Sequence, residues 1–269
     1  VSDISLVLDS NDRPHMCFST FSVMYGLTYA KLTDSGWDFQ SVDTGNVGHY
    51  CSLALDSGNY PHISYHDLNS FDLKYAHWTG EKWDIQTVDS VGNVGLYTYL
   101  ALDYSNYPHI SYYDQTNHNL KYARWTGQNW DIQTIDSGKE AGLHSSLALD
   151  SYNRPHIAYE SNVDGDLMYA KWTGSEWQIQ TIDSSGSQPC ITLQFGRPFV
   201  SYYSEQDHNL KMACIAIYNW FTDVVDASSD IGERSSMGVD SNNDIHIIYY
   251  DGYHENLKYA VVGGYWSIN

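Results

Sequence analysis

A motif of nearly fixed length runs through the chain from end to end, and it leaves few architectures open. Its clearest copies are Ser52–Asp89 (SLALDSGNYPHISYHDLNSFDLKYAHWTGEKWDIQTVD), Tyr99–Asp136 and Ser146–Asp183. The tryptophan opening the last run of each copy falls at Trp37, Trp83, Trp130, Trp177, Trp220 and Trp266, in steps of 46, 47, 47, 43 and 46 residues. The second run carries Pro14, Pro61, Pro108, Pro155 and Pro198, with Ile245 in the sixth place. Six copies fill the 269 residues. Repeats that stack share one continuous core, so the chain reads as a single domain.

Each copy holds four runs of strand-forming residues: in the second, Ser52–Asp56, His62–His66, Leu73–Trp78 and Trp83–Asp89. Ser-Gly-Asn-Tyr-Pro and Thr-Gly-Glu-Lys link them, residues that supply tight turns. Four strands with short links make an antiparallel meander. Six meanders at this period predict an all-β, six-bladed β-propeller with four antiparallel strands per blade. The expected blades are 1–46, 47–95, 96–142, 143–187, 188–232 and 233–269. Side-chain size supports this. The first run is small and aliphatic (Ser52, Leu53, Ala54, Leu55), whereas the outer runs carry Tyr75, Trp78 and Trp83, as wedge-shaped blades require. The sixth copy stops four residues into its last run, at Asn269, and Val1–Ile4 is too short to complete it. The chain therefore reads as a piece of a longer polypeptide, with a parent of more blades left open.

The net charge is −20, from 33 acidic and 13 basic residues. That surface argues against nucleic acid and anionic membranes, which need Lys and Arg to displace counterions. No apolar run is long enough for a membrane-spanning helix. The carboxylates are spread over every copy, which suits solubility in a salty or calcium-rich medium; a cation-binding ring is the sharper alternative. Cys17, Cys51, Cys190 and Cys214 show no metal-binding spacing, and buried free thiols are expected, with a Cys17–Cys51 bridge as the alternative.

Two residue sets recur. Five copies place Asp at the end of the first run and His six residues later: Asp9/His15, Asp56/His62, Asp103/His109, Asp150/His156 and Asp240/His246. Facing each other across a hairpin, they are expected to form a hydrogen bond locking the turn. The fifth copy changes both, to Gln194 and Phe199. The second set, Trp78, Trp125 and Trp172 with the Trp of the last run, is expected to fill the wide outer interfaces. Stacking on sugar rings is its functional alternative.

Candidate ligand residues come from two families of loops on one rim, where sequence varies most. The loops entering the first run offer His49, Tyr50, Tyr97, Tyr99, His144, Gln188, Glu233 and Arg234. Those after the second run offer Asp67, Asp114, Glu160 and Asp251. Aromatic rings beside carboxylates suit a neutral polyhydroxylated ligand, and would also suit Ca²⁺.

The repeat, with LALDSxxxPHISYYD, LKYAxWTG and WDIQTIDS, resembles those of β-propeller repeat proteins over the full length. It is similar to units of bacterial and archaeal secreted or cell-surface propellers. It lacks the Gly-His to Trp-Asp pairing of WD40 repeats and the Asp-box of sialidases. It also lacks three clustered arginines: Arg13, Arg154 and Arg197 fall in turns of the opposite rim. The resemblance implies an extracellular or cell-surface, lectin-like binding module for a glycan or protein. The other readings are a structural spacer in a larger surface protein and a glycoside hydrolase or lyase. No residue pair is singled out as catalytic, so a non-enzyme is expected.

Overall fold

The computed structural model describes residues 2–20, 26–138, 140–216, 219–228 and 231–263. Trp266, the rest of the sixth copy's last run, and residues 21–25 of the first copy lie outside the described residues. The protein is an all-β, six-bladed propeller. Five sheets are four-stranded meanders in sequence order, and the sixth shows three strands among the described residues. The blades group into two compact units, Val1–Ser137 and Gly138–Asn269. Within each unit, the first strands of successive blades lie against one another.

The first strands are longer than the sequence suggests. In the second blade the strands are Val47–Leu55, Pro61–Asp67, Asp72–Trp78 and Trp83–Asp89. In the third and fourth blades they begin at Val94 and Ala141, so the expected limits at 95 and 142 fall inside strands. The sequence obscures this because a Val-Gly or Ala-Gly pair opens them and glycine reads as a turn. Gly48 and Gly95 instead lie at φ of +91° and +94°, pressed against Leu27 and Leu73 of the preceding blade. A Cβ would meet Leu73 Cα at 2.8 Å from Gly95 and Leu27 Cβ at 3.0 Å from Gly48.

The turn between first and second strands repeats one device. Asp103 Oδ1 accepts the backbone N–H groups of Ser105 and Tyr107, both at 2.8 Å. Asn106 takes φ of +62°, which Asn tolerates better than most residues. Its amide then reaches back a blade: Oδ1 accepts Ser57 N–H at 3.2 Å and Nδ2 donates to Ser57 Oγ at 3.0 Å. Asn59 does the same to Ser10.

Neighbouring blades are also joined through their cores. Asp89, ending the second blade, accepts Tyr112 O–H at 2.7 Å and the ammonium of Lys121. Tyr65–Asp43–Lys74 and Tyr249–Asp226–Lys258 repeat the trio. The outer tryptophans pack as the sequence predicts. Trp78 and Trp83 meet edge-on at 5.5 Å, as do Trp125 and Trp130. Trp83 lies edge-on to Tyr29 of the preceding blade, and Trp130 to Tyr75. All four cysteines are buried free thiols; Cys51 donates to the carbonyl of Asp3 at 2.7 Å.

Candidate functional site

Every first strand carries a β-bulge at one equivalent place, two of its residues opposing one on the second strand. In the second blade, Tyr50 and Cys51 fall between the pairs His49↔His66 and Ser52↔Ser64. The third, fourth and sixth blades repeat this at Tyr97–Thr98, His144–Ser145 and Arg234–Ser235. In the second, third, fourth and sixth blades the second bulge residue (Cys51, Thr98, Ser145, Ser235) turns inward and is buried, whereas Ile4 of the first blade is exposed; Thr98 Oγ1 donates to Ser64 Oγ of the preceding blade at 2.8 Å. The first is left half-buried or exposed, at positive φ: Asp3 52°, Tyr50 54°, Tyr97 51°, His144 45°, Gln188 52° and Arg234 52°. This conformation is uncommon outside glycine and costly for a bulky ring. Bulges commonly aim side chains beside sites, and strained residues cluster where function holds them.

Most rim candidates named from the sequence therefore lie on strands rather than loops. In the first unit, Tyr50 and Tyr97 meet with ring centroids 4.6 Å apart. Tyr97 continues to Tyr113 and Tyr50 to His66, each at 6.4 Å. Burial, with Tyr97 beside it, pushes the Tyr50 phenol up to about 12, so it stays protonated as a hydrogen-bonding group. His49 lies 3.8 Å from the Asp3 carboxylate, and His66 Nε2 is 3.0 Å from Asn93 Oδ1. The row is aromatic and amphipathic.

In the second unit the same positions are polar. His144 Nδ1 lies 2.9 Å from Glu160 Oε1, which also accepts Gln188 N–H. Gln188 Oε1 in turn accepts Arg234 N–H at 2.8 Å. His144 is 41% exposed while Glu160 is 14% exposed, so the imidazole is the accessible member. Glu233 is half-buried opposite Tyr250, and Tyr99 half-buried opposite Ser111.

Three sequence candidates are withdrawn from the site. Asp67, Asp114 and Asp251 are 3%, 2% and 1% exposed. Each Oδ1 caps its own turn, through Asn69, Asn117 and His254 N–H respectively. Lys74 bonds Asp67 at 2.7 Å and Lys258 bonds Asp251 at 3.2 Å. The backbone N–H of His254 is the main cause holding the Asp251 carboxyl down to about 2. These are fixed structural anions, a role the sequence hides because Asp near a turn suits either purpose.

The Asp–His pairs also need correction. The two side chains do face each other, but Nε2 lies 3.7 Å from Asp Oδ2 in Asp9/His15, Asp103/His109 and Asp150/His156, and 3.8 Å in Asp56/His62. That is beyond a hydrogen bond; only His246, 3.3 Å from Asp240, comes nearer. The turn amides fix the carboxylate through its other oxygen, Oδ1. The imidazole is held instead through Nδ1 by a tyrosine hydroxyl on the third strand, Tyr29 at 2.5 Å for His15 and Tyr169 at 2.6 Å for His156. Tyr75, Tyr122 and Tyr259 hold His62, His109 and His246. Burial is the main cause bringing His62, His109 and His156 down to about 4, so they are neutral at pH 7 and Nδ1 accepts the phenol proton. The signal was present in the sequence, since a Tyr follows each of these His by 13 or 14 residues. Among the described residues, no three His, Cys, Asp or Glu side chains gather as a metal site.

No protein-family model matches the chain, and no curated protein matches it. Solved structures do. The chain is similar to a protein of unknown function from Dyadobacter fermentans, with TM-score 0.63 and 10% identity, covering 97% of this chain and 93% of that one. It is similar to an α-L-arabinofuranosidase from Fusarium graminearum, with TM-score 0.62 and 13% identity, covering 97% and 92%. It is also similar to a polysaccharide lyase, an ulvan lyase, with TM-score 0.67 and 11% identity, covering 97% and 78%. At such identity the likeness is one of fold.

Proposed function

We propose that the protein is an extracellular binding module that recognises a glycan through the bulge residues of its first strands. The observation that carries this reading is the pair Tyr50 and Tyr97, both at positive φ, with ring centroids 4.6 Å apart and planes tilted by 53°. The bulge imposes this backbone in every blade whatever the residue, and tyrosine, which tolerates it poorly, occupies it in two successive blades, as a ligand that stacks on the rings would require. The two phenols and His49 supply hydroxyl-compatible donors and acceptors beside those rings. The distant likeness to enzymes that act on polysaccharides agrees with a carbohydrate ligand. Among the described residues the rim carboxylates Asp67, Asp114 and Asp251 are buried and tied to their own turns, so binding rather than cleavage is the reading.

A glycan array probed with the purified protein, with and without calcium, tests it. Retention of one glycan class is expected, with no cleavage products. Tyr97→Asn is expected to abolish retention without loss of stability, because Asn accepts the left-handed backbone more readily than Tyr. An array with no retained glycan, or Tyr97→Asn binding as well as the parent, would sink the reading. Release of oligosaccharides from the same glycans would make it a lyase or hydrolase instead.

A further inference from the structure

The cleft between the first and second blades differs from its counterparts. A cavity of ≈ 280 Å³ opens there, lined by residues including Asp9, Arg13, Lys31, Gln40, Tyr60 and Trp78. Between the second and third blades His77 stands in the place of Lys31, and its ring stacks on His62 and Tyr75 at 5.6 and 5.7 Å. The outer edge of that interface is closed by Trp130 Nε1–H donating to Gln86 Oε1 at 3.1 Å. Trp220 and Gln180 make the same bond in the second unit. Between the first and second blades the matching residues are Trp83 and Gln40, yet Trp83 Nε1 is buried without a hydrogen-bond partner among the described residues. The bond that closes those two interfaces is not made by Trp83 among the described residues, and Gln40 faces the cavity.

The volume lies at the small end of ligand sites, the scale of a single polar ring. The lining holds two cations against one carboxylate, on a chain of net charge −20. Arg13 pairs with Asp34, itself 89% exposed, a surface contact of little strength. Lys31 makes no ion pair among the described residues. Trp78 adds an indole to one wall.

We propose that this cleft binds one acidic sugar residue, its carboxylate on Lys31, its ring against Trp78, and its hydroxyls on Gln40 and Asp9. The site lies at the opposite end of the first strands from the Tyr50–Tyr97 row and does not depend on it. Titration calorimetry with methyl glucuronide and methyl glucoside, alongside NMR of the indole N–H resonances, tests the proposal. The glucuronide is expected to bind and to move the Trp78 resonance, and the glucoside to bind at least roughly tenfold more weakly, the worth of one charge-assisted hydrogen bond. Lys31→Met, which keeps the volume, and Lys31→His, which restores the ring found in the next blade, are each expected to weaken glucuronide binding by a similar factor with thermal midpoints unchanged. Tyr97→Asn is expected to leave it intact, which separates this site from the first. Equal binding of the glucoside, a stationary Trp78 resonance, or parental affinity in both Lys31 variants would overturn the proposal.

Discussion

A methyl group added to Gly95 would sit 2.8 Å from Leu73 Cα, on a backbone at φ +94°. Gly174 has a similar φ, +107°, with nothing within 4 Å of the added carbon. Comparing alanine at the two positions separates close approach from conformational strain. Gly174→Ala is expected to cost about 1 kcal/mol, and Gly95→Ala about 3 kcal/mol, since it adds a backbone collision to the strain. Urea midpoints read the difference, and equal midpoints would mean that the blades are not held this tightly. The same residues mark what the sequence conceals. Tyr50, Tyr97 and His144 are legible as candidates because they break the repeat's apolar pattern. Their bulge is not legible, because positive φ at a tyrosine runs against its own preference and is imposed by the neighbouring strands. The Cys17–Cys51 question was likewise decided by tertiary contact, Cys51 donating to Asp3 rather than bridging.

At the scale of the blade, the period, the strands and the outer tryptophan packing were readable because each repeats at fixed spacing. What joins one blade to the next was not, because its partners are 22 to 32 residues apart and look like surface charges. In Asp89–Tyr112–Lys121 the lysine is 11% exposed and Asp89 3%, while Asp114 lies 4.0 Å away. The fourth blade replaces the Lys by Met168 and, at the place of Asp114, carries Ser161. The two changes belong together: removing the ammonium alone strands the carboxylates it neutralised. Lys121→Met is thus expected to cost about 3 kcal/mol, as breaking a buried pair does. Adding Asp114→Ser should recover roughly 1 kcal/mol of that, the coupling of residues sharing one network. A double-mutant cycle measures the coupling, and strictly additive effects would show that Lys121 and Asp114 do not act together.

Across the whole molecule, acid acts in two opposed ways, and the buried histidines decide which is seen. The chain carries −20 at pH 7, so mild acid relieves self-repulsion and should favour the folded state. His62, His109 and His156 work against this. In the folded protein they titrate at about 4 because burial disfavours their charge, and in the unfolded chain near their ordinary 6.5. Between those values the unfolded chain holds protons that the folded one does not, so stability is full above pH 6.5 and is lost as pH falls toward 4. Each histidine contributes a slope of at most about 1.4 kcal/mol per pH unit. Carboxylates held low, such as Asp67, Asp89 and Asp150, add their own loss only below the ordinary carboxylate range. In about 1 M salt the repulsion between surface charges is screened over roughly 3 Å, whereas the burial of a ring is untouched. Urea midpoints in high salt are therefore expected to fall steadily from pH 6.5 to 4. A variant with His62, His109 and His156 all replaced by Asn should start less stable and lose most of that slope. A flat profile in the parent protein, or an equally steep one in the variant, would show that the tyrosine-held imidazoles are not the groups that take up the protons.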